Sequence, residues 1–269
     1  MKPSSPNFTM IAKTLSGLEG VLADELRALD AQSVAEINRA VQFDGDQALL
    51  YKANLHSRLA GRILVPIHAF TARDRDHLYR GVSGVNWSHY LDPEMTIAVD
   101  VVLANSPFDN SMYVAQRTKD AVVDQLRTKS GKRPNVDNRN PDLRINIHIV
   151  GDKASLALDS SGDPLHQRGY RLATGEAPMN EILAAGIVAL SGWDASVPFV
   201  DPMCGSGTVA IEAAMRARNI APGVIRRRFG FMRRKDYSPE LLERLKMQAR
   251  QEARPDTGVE LLAADIDKR

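Results

Sequence analysis

The residues of this chain best suited to chemistry lie together in one octapeptide, Asp201-Pro202-Met203-Cys204-Gly205-Ser206-Gly207-Thr208. An apolar stretch, Pro198 to Val200, precedes it and a helical run begins at Thr208, so the spacing predicts a strand-to-helix turn. Such a turn, free of Cβ atoms at its glycines, lets a ligand approach the main chain closely. Three ligand classes use turns of this kind. A phosphate-binding P-loop needs a lysine and then Ser or Thr after its second glycine. Gly207 is followed by Thr208 and Val209, which excludes it. A dinucleotide fingerprint G-x-G-x-x-A is formally matched by Gly205, Gly207 and Ala210. Its acidic ribose partner is expected about 20 residues on, and no Asp or Glu occurs between Glu212 and Asp236.

Asp201 weighs further against a pyrophosphate, because its carboxylate at the strand end would repel that ligand. S-adenosylmethionine has no phosphate and carries an ammonium and a sulfonium. A carboxylate beside the turn favours such a cation by Coulomb attraction, more strongly in a partly desolvated cleft. Asp265, closing the apolar run Leu261 to Ala264, could accept hydrogen bonds from ribose hydroxyls. Cys204 reads as a small residue that fits the turn, with nothing nearby in sequence that suggests thiol catalysis.

The elements that must position these residues follow from periodicity. Phe8, Met10 and Ala12 alternate as on a strand, and Leu18, Val21, Leu22, Leu26 and Leu29 recur at helical spacing. Strands are predicted over Val34–Phe43 and Arg62–Phe70, with a short helix over Gln47–Leu55 between them. This rhythm suits a small sandwich with helices on one sheet face. A second unit is predicted from a helix over Asp74–Val82, a strand over Thr96–Leu103 and a helix over Ser111–Thr128. A turn-rich loop with Pro134, Asn135, Asn138, Asn140 and Pro141 then leads into a strand through Leu143, Ile145, Ile147 and Ile149. Ala154–Leu158 pairs with it across Gly151–Asp152. Beyond Ala177 come a buried-looking helix over Ile182–Leu190, the strand and glycine turn, and a helix over Thr208–Arg218. That order opens a doubly wound α/β domain.

The 269 residues are 43% hydrophobic and 25% charged, ordinary for a globular chain. No apolar run approaches the roughly 20 residues that cross a bilayer. Met1–Phe8 has no apolar signal core, and the single cysteine cannot form an internal disulfide, so the chain reads as cytoplasmic. A net charge of +2 does not by itself imply a nucleic acid, but its distribution is uneven. Between Arg216 and Lys235 the basic residues include Arg226, Arg227, Arg228, Arg233 and Arg234, with no acid among them. Such a block suits phosphate neutralisation and equally suits a solvated helix end and loop. Arg117, Lys119, Arg127 and Lys129 on the Ser111–Thr128 helix and its end, with Lys132 and Arg133, could also contact phosphates. Aromatic content of 6% argues against a stacking platform.

Four stretches carry a family resemblance: SGLEGVLADEL (16–26), RPNVDNRNPDLRINIHI (133–149), LHQRGYR (165–171), and APMNEILAAGIVALSGW (177–193) leading into FVDPMCGSGT (199–208). The chain resembles the N-terminal part of the bacterial large-subunit (23S) ribosomal RNA guanine-N2 methyltransferases. The resemblance implies a mixed α/β and α+β chain. Its parts are a ferredoxin-like domain over 1–60, a THUMP RNA-binding domain over 61–162 and the start of a Rossmann-like methyltransferase domain over 163–269. It implies S-adenosylmethionine as cofactor and 23S ribosomal RNA as partner, with neither metal nor membrane. Asp201, Pro202, Met203, Cys204, Gly205, Ser206 and Gly207 would line the cofactor, Asp265 would hold its ribose, and Asn180 and Glu181 would approach it. Arg168 and Arg171, with His166, fall in the connector, where arginines could meet RNA or serve as interdomain glue.

Two departures matter. The separation of Gly205 from Asp265 far exceeds a usual βαβ unit, which suggests an insertion outside the sheet, an RNA-facing flap. The family's Asn-Pro-Pro-Tyr type catalytic segment does not occur in these residues, so no catalytic residue is assigned. The competing readings are a noncatalytic RNA-binding module, a transfer-RNA guanine-N2 methyltransferase and a nicotinamide-dependent oxidoreductase.

Overall fold

Where apolar residues alternate, as at Phe8–Lys13 and Leu143–Val150, the chain forms strands; where they recur every three or four residues it forms helices. In the computed structural model, which describes residues 6–171 and 179–266, the elements follow in this order. First come β1 (Phe8–Lys13), α1 (Glu19–Ala28), β2 (Gln32–Ile37), β3 (Ala40–Gly45), α2 (Gln47–His56) and β4 (Arg62–Thr71). They are followed by α3 (Arg75–Ser83), β5 (Thr96–Ala104), α4 (Ser111–Ser130), β6 (Asn135–Val136), β7 (Leu143–Val150) and β8 (Lys153–Asp159). Last come α5 (Glu181–Leu190), β9 (Phe199–Asp201), α6 (Thr208–Ala217), α7 (Pro239–Gln251) and β10 (Leu261–Ala263).

These elements group into two units. One contains residues 1–63, 163–227 and 238–269; the other contains 64–162 and 228–237. In the first, β1 and β2 flank β3 in antiparallel pairs, and α1 buries Leu22, Ala23 and Leu26. Asp46 caps α2 by accepting the Leu49 N–H, as expected of an N-cap carboxylate. The expected single strand over Val34–Phe43 is instead a hairpin. Its turn at Asn38–Arg39 puts Arg39 at φ 55°, a left-handed residue that breaks the alternation between β2 and β3.

Later in the same unit, α5 and α6 pack together, and β9 pairs with β10 in parallel, Asp201 opposite Ala263. The long stretch between α6 and β10 does not hang outside as a flap. Its helix α7 buries Leu242, Leu245 and Ala249 and packs against α2, where the Ser238 N–H also donates to the Tyr51 hydroxyl at 3.1 Å.

The second unit is a mixed sheet in the order β4-β8-β7-β5-β6. Here β5 runs parallel to β6 and β7, while β8 runs antiparallel to β7 and β4. Its core joins Leu78, Val82, Trp87, Val114, Val122 and Leu126 from the helical layer to Ile145, Ile147, Ile149 and Leu156 from the sheet. Residues 228–237 belong to this unit: the Phe231 N–H donates to the Ser160 carbonyl, and a Cβ on Gly230 would lie 2.7 Å from the Asp159 carbonyl oxygen. Among the described residues no helix is long and apolar enough to cross a membrane.

Candidate cofactor-binding site

The glycine turn is built by main-chain hydrogen bonds to the neighbouring strand. β9 ends at Asp201, whose carbonyl accepts the Ala264 N–H at 2.9 Å, and the Cys204 N–H donates to the Ala264 carbonyl at 2.9 Å. The Gly205 N–H then donates to the Asp265 carboxylate at 2.8 Å, so the acid at the end of β10 faces the turn from across the strand pair. The Gly207 N–H closes the turn on the Cys204 carbonyl at 2.8 Å.

Gly205 and Gly207 both have positive φ, 53° and 75°, which explains the residue type. A Cβ on Gly205 would meet nothing within 4 Å. The space above the turn is therefore open, and the glycine there serves conformation without relieving any clash. α6 starts at Thr208 with Gly207 as a cap that offers no side-chain acceptor. Its first N–H groups and the helix dipole thus point out beside the turn.

The predicted cofactor residues divide by placement. Asp201 is half-buried and Met203 is 84% exposed; Pro202, Gly205, Ser206 and Asp265 are exposed, while Cys204 and Gly207 are half-buried. Asp201, Gly205 and Asp265 are brought together around one turn, although 60 residues separate the last two in sequence. Asn180 and Glu181 are already occupied. The Asn180 side chain caps α5 by accepting the Ile182 N–H at 2.9 Å, and Glu181 is buried against Arg171 at 2.6 Å.

Three of the arginines expected to face RNA, Arg168, Arg171 and Arg226, are bound to protein instead. Arg168 is 1% exposed; its guanidinium donates to the carbonyls of Leu165 and Arg58 and lies 3.3 Å from Glu212. Arg226 is buried too, donating to the carbonyls of Asp163, Pro164 and Gln167. Arg171 bonds Glu181, the Met179 carbonyl and the Thr208 hydroxyl. These three hold protein together and do not present to a phosphate in this structure. Arg227 and Arg228 remain exposed, whereas Arg233 and Lys235 pair with Asp142 and Asp92.

In the other unit Lys132 and Arg133 are exposed, Lys132 pairing with Glu94 at 3.0 Å. Arg117 lies 4.3 Å over the Tyr79 ring, and Lys119 pairs with Asp120. A cavity of about 610 Å³ opens nearby, lined by Arg73, Arg75, Phe108, Asn110 and Tyr113 among others.

A buried ionic cluster went unseen in the sequence. The Arg58 N–H donates to Glu25, and its guanidinium donates to the Ile220 carbonyl at 2.8 Å. Tyr170 donates to Glu212 at 3.1 Å. Burial pushes the Glu25 carboxyl up, against the opposing pull of the Arg58 N–H and charge. Burial and the Glu212 charge push the Tyr170 hydroxyl far above its ordinary value. Glu25 falls on the apolar stripe of α1 beside Leu22 and Leu26, and Glu212 lies one turn along α6 from Thr208 amid Ile211 and Ala213. An acid on an apolar helix face was the signal available.

A parallel strand pair, bridged by a helix over a glycine turn and flanked by carboxylates at both strand ends, defines the opening of an α/β nucleoside-cofactor domain. Comparison with known proteins makes this specific. The RlmL ferredoxin-like domain matches residues 9–64, the THUMP domain 72–159, and the RMKL-like methyltransferase domain 168–269. The ribosomal RNA large subunit methyltransferase K/L of Photobacterium profundum is 43% identical over 244 residues, 91% of this chain and 34% of that protein. The crystal structure of SMU.472, a putative methyltransferase complexed with SAH, is 34% identical with a TM-score of 0.87, covering 98% of this chain and 69% of that one. A protein from Listeria monocytogenes str. 4b F2365, described as a predicted N6-adenine-specific DNA methylase, is 31% identical with a TM-score of 0.87, covering 97% and 68%. The chain belongs to this family of methyltransferases that join an RlmL ferredoxin-like domain and a THUMP domain to an RMKL-like methyltransferase domain. It spans about a third of the length of the curated relative it matches.

Proposed function

We propose that this chain carries the RNA-binding and S-adenosylmethionine-binding portions of a cytoplasmic methyltransferase that forms N2-methylguanosine in 23S ribosomal RNA. The observation that carries the reading is the pair of carboxylates, Asp201 and Asp265, at the ends of parallel strands around a turn whose Gly205 N–H meets one of them. The structure's own features fit the cofactor. The space over Gly205 is open, Asp201 suits a ligand bearing an ammonium and a sulfonium, and Asp265 can accept from ribose hydroxyls. The same topology serves dinucleotides, and Asp265 stands where their ribose acid stands. Asp201 is what favours the cation over the pyrophosphate. The relative solved with SAH and the ribosomal RNA methyltransferase relative support the same choice.

When bound, S-adenosylmethionine supplies an electrophilic methyl group. The chain's own residues bind and orient it: the Cys204–Gly207 turn fixes the main chain, and the two acids fix the charge and the sugar. The guanine N2 lone pair is delocalised into the ring, so orientation and electrostatics must do most of the work on the acceptor side. A base within a helix must also leave the stack to reach such a site.

Titration calorimetry of the full-length protein with S-adenosylhomocysteine and with NAD tests the cofactor, and product analysis on 23S ribosomal RNA, transfer RNA and adenine-containing DNA tests the acceptor. Binding of S-adenosylhomocysteine but not NAD, and N2-methylguanosine only in the ribosomal RNA, are expected. Asp201→Ala should abolish cofactor heat and leave RNA affinity intact; equal loss of both would count against separate sites.

A further inference from the structure

The connector residues Arg168, Tyr170 and Arg171 lie outside the glycine turn, yet all three end on the helices that frame it. Arg171 Nε donates to Glu181 at 2.6 Å, on the first residue of α5, and its Nη2 donates to the Thr208 hydroxyl at 3.3 Å, on the first residue of α6. The same Nη2 reaches the Met179 carbonyl just ahead of the α5 cap. One turn further along α6, Arg168 and Tyr170 meet the same oxygen of Glu212 at 3.3 and 3.1 Å. The Thr208 hydroxyl has a second partner, the Ser206 hydroxyl at 3.1 Å, inside the turn.

We propose that Arg171 is a positioning residue for the glycine turn: it ties the start of α5 to the start of α6 and, through Thr208, sets the Ser206 hydroxyl and the turn's main-chain donors. The inference deepens, and rests on, the reading of that turn as a S-adenosylmethionine site.

Three features support it. First, Gly207 gives α6 no side-chain cap, so the start of the helix has no side-chain anchor of its own. Thr208, 3% exposed, is the nearest side chain that can hold it, and Arg171 holds Thr208. Second, a guanidinium has five donors in a fixed planar fork, which is what joining a carboxylate, a carbonyl and a hydroxyl at three different places requires. A lysine ammonium keeps the charge but cannot reproduce that spread. Third, the Glu181 carboxylate is buried beside the turn and is neutralised by Arg171. The pair is therefore electrically quiet, leaving Asp201 and Asp265 as the charges the cofactor would meet. The three bonds that Arg171 makes all end on protein, so its part is to act through Thr208.

The test is titration calorimetry of the full-length protein with S-adenosylhomocysteine, alongside thermal melts, for the wild type, Arg171→Lys, Thr208→Val and the double variant. We expect about a tenfold loss of affinity in each single variant, and a double variant no weaker than the worse single one, the coupling expected of residues acting in series. RNA affinity should be unchanged in all three. Unchanged S-adenosylhomocysteine affinity in Arg171→Lys, or additive losses in the double variant, would overturn the inference and leave the cofactor reading standing. Failure of the wild type to bind S-adenosylhomocysteine would overturn that reading and this inference with it. Should Arg171→Lys not fold, Thr208→Val alone decides, since unchanged affinity there removes the link through which Arg171 acts.

Discussion

Two sets of basic residues in this chain look alike as sequence and differ in fate. Arg168, Arg171 and Arg226 are spent inside one unit, donating to main-chain carbonyls and buried acids. Lys132 and Arg133 in the other unit, and Arg227 beside the buried Arg226, keep their surface in solvent. The difference lies in what surrounds each side chain. Carbonyls gathered at a loop turn, such as those of Asp163, Pro164 and Gln167, can be tied together by one guanidinium, which supplies several donors at once. A run of arginines is therefore as good a signal of loop architecture as of phosphate binding.

Truncating one residue from each set separates the two roles most clearly. Arg168→Ala leaves Glu212 as a buried carboxylate without its cation, and Arg226→Ala removes the guanidinium that three loop carbonyls share. Breaking a buried charge pair costs about 3–5 kcal/mol, so Arg168→Ala should show the largest loss of stability in chemical denaturation, with Arg226→Ala next. Arg227→Ala should leave stability within about 0.5 kcal/mol of wild type, as surface changes usually do. An Arg168→Ala protein of undiminished stability but reduced RNA affinity would return that residue to the RNA surface.

The second test concerns the exposed set. Replacing Lys132 and Arg133 together by Ala should weaken RNA binding and lower the slope of log affinity against log salt by about one to two, since each neutralised phosphate contributes about 0.7–0.9. The melting temperature should not change. Arg226→Ala, compared at a temperature where it stays folded, should leave the salt slope as it is. A slope insensitive to Lys132 and Arg133 would separate RNA binding from this surface.

Much of this organisation was legible in the sequence, and the failures have a common cause. The glycine turn was readable because its residue types answer to local backbone geometry: positive φ at Gly205 and Gly207 needs no knowledge of distant contacts. Strands such as β7 and helices such as α4 were readable from their own period. The Val34–Phe43 stretch failed because Arg39, unlike glycine, gives no hint that it takes a left-handed φ. Asp265 was found as a strand-end acid, but its bond to Gly205 depends on β10 returning beside β9 after the long stretch that carries α7. The buried roles of Arg58, Arg168 and Glu212 depend on three segments meeting, and no local window contains all three.

The smallest effect expected is also the one that most directly reads the buried cluster. Glu25 has its carboxyl pushed up mainly by burial, while the N–H and charge of Arg58, the Ser57 side chain and the charge of Arg168 pull it the other way. The net raised value fixes a sign. In the unfolded chain Glu25 ionises near its ordinary value of 4.5, whereas in the folded protein it keeps its proton to higher pH. The stability it contributes is thus complete below the unfolded value and falls as pH rises through the folded one. Glu25→Gln removes this titration but keeps an oxygen to accept the Arg58 N–H. Stability of the wild type relative to Glu25→Gln should therefore decline in urea denaturation as pH rises above the ordinary value of 4.5. A difference that grows with pH would mean that the N–H and charge of Arg58 and the charge of Arg168 outweigh burial at Glu25.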